Sequence, residues 1–320
     1  MRLSVIVASR DEGQNLSRTI RAVYQHTKHT DMEVLVVDDG SNDGSPQDAS
    51  KLFGDVRIHR NDVPLGVSGA RIRGAAEATG DVFIFLDAHV LPDVGCLDRL
   101  LALVTETAGT AVAIPRVAEL NADTWHADYS RSAFGFEITL DDFGVRWLQL
   151  SEMLPVKVGS LETYESPTLV GCSLAIARDA YTAILGFNPA MVTWGIEDVD
   201  LGVRAWMMGY KILCDPAARL AHRFVTRFAN FEVKQIELGA NQIRMARTIF
   251  NDLVFSDWLR MRGIDVRMSG DDVAEHFWHR AFSRYLSTEP AALRFGETFR
   301  RSRARDEYDY AKHFSLQWPQ

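Results

Sequence analysis

Cysteine, excess positive charge and long apolar stretches are all scarce in this chain of 320 residues. Its three cysteines (Cys96, Cys172 and Cys214) are odd in number and lack metal-site spacing, so we expect free thiols in a reducing cytoplasm rather than a disulfide framework. The net charge of -8 argues against nonspecific binding to nucleic acid. No stretch is apolar for long enough to span a membrane, and a strand that starts at Leu3 leaves no room for a signal peptide, so we expect no membrane anchor.

Two common nucleotide-binding motifs are also missing. Residues 8–12, Ala-Ser-Arg-Asp-Glu, follow the first apolar segment at the point where a dinucleotide-binding fold carries Gly-x-Gly-x-x-Gly, and the chain has no P-loop. The hydrophobic content of 47% still predicts a globular protein with a real core. A dinucleotide-dependent or P-loop enzyme is therefore not expected.

Apolar segments alternate with segments of helical spacing over the first 120 residues. We predict strands at 3–8, 33–37, 56–60, 81–86 and 111–114, and helices at 15–24 and 66–79. Strands separated by helices in this way predict βαβ units and a parallel sheet.

The remainder of the chain is less uniform. Residues 121–167 mix aromatic and charged residues without a clear period, as binding loops often do. We predict a strand at 168–177, a helix at 194–208, a strand at 210–213 and mostly amphipathic helices from about residue 225. The sequence therefore predicts an α/β domain over residues 1–225 and a helical C-terminal region over residues 226–320.

The segment 83–89 is the most informative part of the sequence, because four apolar residues lead directly into Asp87, Ala88 and His89. Side chains two positions apart point the same way on an extended backbone, so Asp87 and His89 can converge on a divalent ion. One oxygen and one nitrogen ligand suit Mn²⁺ better than Ca²⁺, and ligands of open α/β sheets bind at the carboxyl ends of strands. Taken alone, the pair also fits an ordinary loop after a strand.

Two further clusters admit both a functional and a structural interpretation. Asp38 and Asp39 end the second predicted strand, where they could accept hydrogen bonds from a ribose or a base, or form a turn. In the helix that precedes the Asp87 strand, Arg71 or Arg73 could reach a base or a diphosphate, or could lie in solvent.

A third group of acids opens the predicted helix at 194–208. Glu197 and Asp198 are adjacent and so do not face the same way on a helix, which predicts different roles, one of them that of a general base. The alternative is that these acids are structural, since the helix dipole stabilises negative side chains in a first turn. His222 follows the last predicted strand and, alone, is most simply a structural histidine.

Taken in order, these motifs resemble those of nucleotide-sugar glycosyltransferases with the GT-A fold. Val-Asp-Asp-Gly-Ser at 37–41 and Glu-Asp at 197–198 are typical of family 2 glycosyltransferases, whereas Asp-x-His at 87–89 and Trp-Gly at 194–195 resemble the polypeptide N-acetylgalactosaminyltransferases. The resemblance covers residues 3 to about 225. It implies a Rossmann-like, mostly parallel sheet flanked by helices, here followed by a helical appendage.

The resemblance also implies roles for individual residues. It implies that Asp87, His89 and His222 bind Mn²⁺, with Mg²⁺ as an alternative ion, and that the donor is a UDP-sugar. The residues implied to contact this donor are Asp38 or Asp39 at the uridine, Arg71 near the base or ribose, Asp87 through the ion, and Trp194 at the donor sugar and acceptor site. Glu197 and Asp198 would flank the sugar and the acceptor hydroxyl.

The stereochemistry of transfer depends on which part of the resemblance holds. In inverting family members the second acid of the Glu-Asp pair is the base, so we predict inversion with Asp198 as the general base. The N-acetylgalactosaminyltransferases suggest retention instead, but this chain has Ala8 where they carry a hydroxyl residue, Val225 where they carry an arginine, and Glu-Asp in place of Glu-Asn. A retaining enzyme or a non-catalytic binder of nucleotide sugars is the alternative.

The acceptor and the oligomeric state are open. A peptide, a glycan or a small natural product could each accept the sugar. The aromatic residues of the helical region predict buried surface, either in its own core or in a homodimer.

Overall fold

The computed structural model describes residues 1–121, 123–224, 235–264 and 276–318. The strands are β1 (Leu3–Ser9), β2 (Met32–Asp38), β3 (Arg57–Arg60), β4 (Val82–Asp87), β5 (Val90–Pro92), β6 (Ala111–Asn121), β7 (His126–Ala133), β8 (Gly135–Ile138), β9 (Val145–Leu148), β10 (Leu154–Val158), β11 (Leu161–Glu165), β12 (Ser173–Ala177) and β13 (Lys211–His222). The helices are α1 (Gln14–His26), α2 (Ser45–Leu52), α3 (Gly66–Glu77), α4 (Cys96–Glu106), α5 (Arg178–Ala183), α6 (Glu197–Met207), α7 (Gln235–Ile249), α8 (Asp252–Met261), α9 (Phe277–Leu286), α10 (Glu289–Ser302) and α11 (Glu307–His313).

A single large sheet carries the candidate site, and its strand order is β10-β11-β13-β6-β12-β4-β1-β2-β3. Strands β3, β2, β1 and β4 are parallel neighbours, and β12 is an antiparallel insertion between β4 and β6. Because β13 is parallel to β6, it runs in the same direction as β1, β2 and β4. The predicted α/β sheet is confirmed, and the carboxyl ends of these strands lie at one edge.

The central strands form because their residues are apolar on both faces. Val5, Ile6 and Val7 of β1 are fully buried, as is most of β2 and β4. Helix α3 lies close to this layer, since a Cβ on Gly74 would collide with the Ile6 side chain. A glycine at this position therefore lets the helix that carries Arg71 approach the sheet.

The prediction of an irregular stretch at 121–167 is wrong, because this stretch contains strands β7 to β11. Strands β7 and β10 are exposed or half-buried; β7 is rich in polar residues, and β10 is interrupted by Pro155 and Lys157, so neither has the apolar run that marks a central strand. Strand β13 is also much longer than predicted and reaches His222 after a register shift between Asp215 and Arg219. Helices α2 and α4 were not predicted.

The C-terminal helices share a hydrophobic cluster with α6 of the sheet domain. Buried residues of this cluster include Val203 and Trp206 of α6 together with Ile243 of α7. Phe250 and Trp258 are also fully buried there, so these two aromatic residues of the helical region belong to the core of the chain itself. The predicted boundary at residue 225 lies outside the described residues.

All three cysteines are buried and free, as the sequence predicts. Among the described helices, none has the length and apolarity that crossing a bilayer requires.

Candidate active site

The three predicted metal ligands converge at the carboxyl edge of the sheet. Asp87 ends β4, His89 lies in the turn before β5, and His222 ends β13. One ligand atom from each residue lies within 4.8 Å of the others. The ladder between β5 and β13 brings the histidines together, because it pairs His222 with Val90, and the Arg223 N–H donates to the His89 carbonyl at 3.1 Å.

The environment of His222 fits a metal ligand. Both of its ring nitrogens are buried without a hydrogen-bond partner, and Nε2 lies 3.3 Å from Oδ2 of Asp87. Burial lowers the pKa of His222, which favours the neutral imidazole that metals require. A buried polar atom without a partner is costly, so the set Asp87, His89 and His222 fits an ion of the Mn²⁺ type.

Glu12 is a site residue that the sequence analysis missed. It lies in the loop after β1, and its Oε1 lies 2.9 Å from Nδ1 of His89. Burial acts to lower the pKa of His89, but the hydrogen bond and charge of Glu12 raise it overall. A carboxylate on Nδ1 fixes the imidazole and leaves Nε2 as the ligand atom. The available signal was its place directly after the first strand, at the edge where the other strands end.

Arg71 connects the predicted metal site to the acids of α6. Its guanidinium is 2% exposed and donates to Oδ1 of Asp87 at 2.8 Å, to the Gly171 carbonyl at 2.7 Å and to Oε1 of Glu197 at 3.0 Å. Burial acts to raise the pKa of Asp87, but His222 and Arg71 hold it well below its usual value. The predicted contact of Arg71 with a base or ribose stays a prediction; in the structure its bonds hold two carboxylates in place.

The adjacent acids of α6 have different surroundings. Glu197 is buried and also accepts a hydrogen bond from the Gly195 N–H at 3.1 Å, and burial together with the charge of Asp198 raises its pKa to about 7. Asp198 is half-buried, accepts from the Gly171 N–H at 2.8 Å, and has its pKa raised by burial. Asp198 is therefore the more accessible of the two.

Asp38 and Asp39 are turned towards their own loop. Asp38 is 1% exposed and accepts from the Ser41 N–H at 2.7 Å and from the Arg60 guanidinium. Asp39 is 5% exposed, and it accepts from the Asn61 amide and from the backbone N–H groups of residues 65 and 66. These bonds build the turn that was the alternative interpretation, and the predicted uridine contact stays a prediction.

Aromatic side chains extend from His222 towards solvent. The ring of His222 lies 4.5 Å from that of Phe224, which lies 5.8 Å from Trp147, which in turn lies 4.3 Å from Phe136. Phe224 is 47% exposed. We call Phe136, Trp147 and Phe224 the aromatic row. Trp194 lies in the loop before α6 and is half-buried.

Comparison with known proteins agrees with this arrangement. The family model "Glycosyl transferase family 2" matches residues 4–181, more than half of the chain, and the model "N-terminal domain of galactosyltransferase" matches residues 160–230. The chain therefore belongs to glycosyl transferase family 2, and the predicted enzyme class, glycosyltransferase, is confirmed.

Its curated relatives include N-acetylgalactosaminyltransferases. A probable N-acetylgalactosaminyltransferase 9 of Caenorhabditis elegans is 28% identical over 85% of this chain and 49% of its own length. Polypeptide N-acetylgalactosaminyltransferase 14 of Homo sapiens is 32% identical over 69% of this chain and 40% of its own length. The predicted resemblance to this group is confirmed, and the chain spans less than half the length of these relatives.

Solved structures confirm the GT-A fold. The structure of GalNAc-T7 with UDP, GalNAc and Mn²⁺ has a TM-score of 0.71 and 21% identity, and the match covers all of this chain and 59% of that one. A mannosyltransferase from Pyrobaculum calidifontis in complex with GDP-Man and Mn²⁺ has a TM-score of 0.51 and 17% identity over 93% of this chain and 73% of that one.

Proposed function

We propose that this protein transfers a sugar from a UDP-sugar to an acceptor hydroxyl with the help of a divalent cation, preferably Mn²⁺ and alternatively Mg²⁺. The observation that carries the proposal is the convergence of Asp87, His89 and His222, in which His222 has no hydrogen-bond partner. A bound ion would offset the negative charge that develops on the departing nucleoside diphosphate. Solved GT-A neighbours with nucleotides and Mn²⁺ support the same assignment.

We infer that the donor is UDP-N-acetylgalactosamine. The relatives carry this sugar in their names, and the GalNAc-T7 structure contains UDP and GalNAc. Asp38 and Asp39 shape the loop proposed to receive the uridine, and Trp194 is proposed to face the donor sugar. Arg71 is proposed to act next to the diphosphate by fixing Asp87.

The acceptor is proposed to be a hydroxyl on a polypeptide. Several relatives are named polypeptide N-acetylgalactosaminyltransferases. The aromatic row next to His222 offers apolar, partly exposed ring faces at the place where an acceptor would approach. Exposed aromatic rings offer a large apolar contact area, which suits them to bind a peptide segment.

Asp198 is the proposed general base. It is half-buried and therefore reachable, whereas Glu197 is buried and bound to Arg71. Burial raises the pKa of Asp198, which brings a carboxylate closer to the operating pH. Base catalysis by Asp198 predicts inversion at the anomeric carbon. If the product keeps the anomeric configuration of the donor, Asp198 has a binding role instead, as in the alternative of a retaining enzyme.

The decisive experiment is UDP release by purified protein from UDP-glucose, UDP-galactose, UDP-N-acetylglucosamine and UDP-N-acetylgalactosamine, with Mn²⁺ or with EDTA. We expect metal-dependent release, fastest with UDP-N-acetylgalactosamine and stimulated by a peptide that contains serine or threonine. Proton NMR of the first product formed assigns the anomer.

Absence of both UDP release and Mn²⁺-dependent UDP binding would contradict the proposal. UDP binding that survives in Asp198→Asn, together with full transfer activity, would remove Asp198 as the base. The cytoplasmic location and a homodimer through the C-terminal helices remain predictions.

A further inference from the structure

The loop before α6 adopts an unusual backbone. Thr193, Gly195 and Ile196 have φ angles of 56°, 112° and 57°, all in the left-handed region that residues with a side chain rarely occupy. Such conformations persist where surrounding contacts impose them. This loop carries Trp194 and leads into Glu197, so its shape sets the position of two predicted site residues.

One side of the loop is held by α3. The Val67 N–H donates to the Thr193 carbonyl at 2.9 Å. A Cβ on Gly66 would lie 2.5 Å from the same carbonyl oxygen, so only glycine permits this approach. These contacts fix Thr193 against the sheet domain and leave the opposite side of the loop to another element.

The other side is held by α7 of the C-terminal region. Asn241 is 1% exposed, and its Nδ2 donates to the Val192 carbonyl at 2.9 Å, the Gly195 carbonyl at 3.2 Å and the Trp194 carbonyl at 3.4 Å. Its Oδ1 accepts from the Val192 N–H at 3.2 Å and from Arg244 at 2.8 Å. Because Arg244 only donates, it fixes which end of the amide faces the loop.

From these contacts we propose that Asn241 is a positioning residue for sugar transfer, holding the loop at residues 192–197 in its left-handed shape from outside the sheet domain. The inference rests on the proposed function for its catalytic consequence. The helical C-terminal region thereby completes the donor-sugar side of the site. A change in the loop shape would reach Glu197 directly, because Oε2 of Glu197 accepts a hydrogen bond from the Gly195 N–H.

The test compares Asn241→Asp with Thr248→Val in the full chain. Aspartate keeps the size and the bond to Arg244 but turns an oxygen towards three carbonyl groups. Thr248 also lies on α7 and is buried, but its hydroxyl accepts from Asn188 rather than binding the loop. Its replacement removes this bond and the bond that the hydroxyl donates to the Arg244 carbonyl at 2.8 Å, so the control loses hydrogen bonds of the same helix without a direct contact to the loop.

Hydrogen exchange at residues 192–197 is the first readout. We expect exchange about tenfold faster in Asn241→Asp and unchanged in Thr248→Val. If Asn241→Asp does not fold, Leu238→Ala takes its place. Leu238 lies on α7 and packs directly against the loop, since a Cβ on Gly195 would lie 2.5 Å from its side chain. This variant should also accelerate hydrogen exchange in the loop. Unchanged loop exchange, or equal acceleration in Thr248→Val, would overturn the proposal.

Kinetics supply the second readout. We expect kcat with the UDP-sugar to fall about 100-fold in Asn241→Asp, while calorimetric affinity for UDP with Mn²⁺ changes less than about threefold. A freely exchanging loop with normal kcat would also overturn the positioning role. If the wild-type protein transfers no sugar, the proposed function fails, and the exchange data still decide whether Asn241 holds the loop.

Discussion

Two groups of polar side chains lie at the same edge of the sheet, and they differ in whether their polar atoms already have hydrogen-bond partners. Asp38 and Asp39 accept hydrogen bonds from their own loop, so their contacts are complete without a ligand. At the group formed by Asp87, His89 and His222, the Nδ1 atom of His222 is buried without a hydrogen-bond partner, and its Nε2 has only the Asp87 carboxylate nearby, at 3.3 Å. The comparison teaches that polar side chains in similar strand-end positions can build a loop in one place and keep polar atoms without hydrogen-bond partners in another.

The largest effect that tests this contrast is expected from His222→Ala. We expect Mn²⁺-dependent UDP release to fall by about 10³-fold with little change in Tm, because the lost imidazole lies 3.3 Å from Asp87 and Arg71 still holds that carboxylate. UDP release and thermal unfolding are measured in parallel. His59→Ala, on β3 at the far edge of the sheet, is the control and should keep full activity. Wild-type activity in His222→Ala would remove it from the site.

A second large effect is expected from Arg71→Met, which leaves Asp87 and Glu197 without their shared cation. Breaking a buried ion pair on one side typically costs about 3–5 kcal/mol. Urea unfolding should show this loss, whereas Arg73→Met should change stability by less than about 1 kcal/mol. Arg73 lies two residues along the same helix but is 45% exposed in its pair with Glu77. Equal effects in the two variants would contradict the bridging role.

Glu197 should make the stability of the metal-free protein fall as pH rises. Its pKa is raised from 4.5 to about 7 by burial and by Asp198, against the charge of Arg71. Between these values the folded chain binds more protons than the unfolded chain, so stability is lost as pH increases through the window. We expect a loss on the order of 1–3 kcal/mol in urea unfolding, flattened in Glu197→Gln. An unchanged slope in that variant would contradict the assignment.

Glu12→Gln should weaken Mn²⁺ binding by about 10-fold, because the carboxylate that orients His89 loses its charge. Calorimetry with UDP present measures the affinity. Asp11→Asn is the matched control, since Asp11 bonds to Asn42 and to neither histidine. Similar affinities in wild type and Glu12→Gln would show that the turn alone orients His89.

The smallest effect is expected from Asp39→Asn. Three donors face its carboxylate, so we expect a stability loss of about 1–2 kcal/mol and only a modest change in UDP affinity of the folded protein. Thermal unfolding and calorimetry together distinguish a role of Asp39 in building the loop from a direct contact with uridine. A large loss of UDP affinity at unchanged stability would favour the predicted direct contact with uridine.

The central strands and the pair Asp87 and His89 could be predicted from sequence because their signals are local. The apolar runs of β1, β2 and β4 are contiguous, and Asp87 lies two residues from His89. His222 lies far along the chain, and only the resemblance to a known family assigned it to the metal.

Residues whose role depends on a contact with a residue far along the chain could not be predicted in the same way. Glu12 acts through a histidine 77 positions away, and Asn241 through carbonyl groups 46 to 49 positions away. Arg71 could not be placed for the same reason. A charged residue on a helix is usually exposed to solvent, but Arg71 is buried and pairs with two carboxylates that the fold brings to it. The strands within 121–167 were missed because their exposed faces interrupt the apolar pattern.

The short ladder between β5 and β13 has a kinetic consequence. It sets the spacing of His89 and His222 when the chain folds, since Val90 pairs with His222 and the Arg223 N–H binds the His89 carbonyl. An ion arriving at this proposed site would meet two imidazoles that already lie side by side, with ring centres 4.9 Å apart. We therefore expect capture of the proposed ion to be one bimolecular encounter, with an observed rate that grows linearly with ion concentration and no slower rearrangement of the backbone.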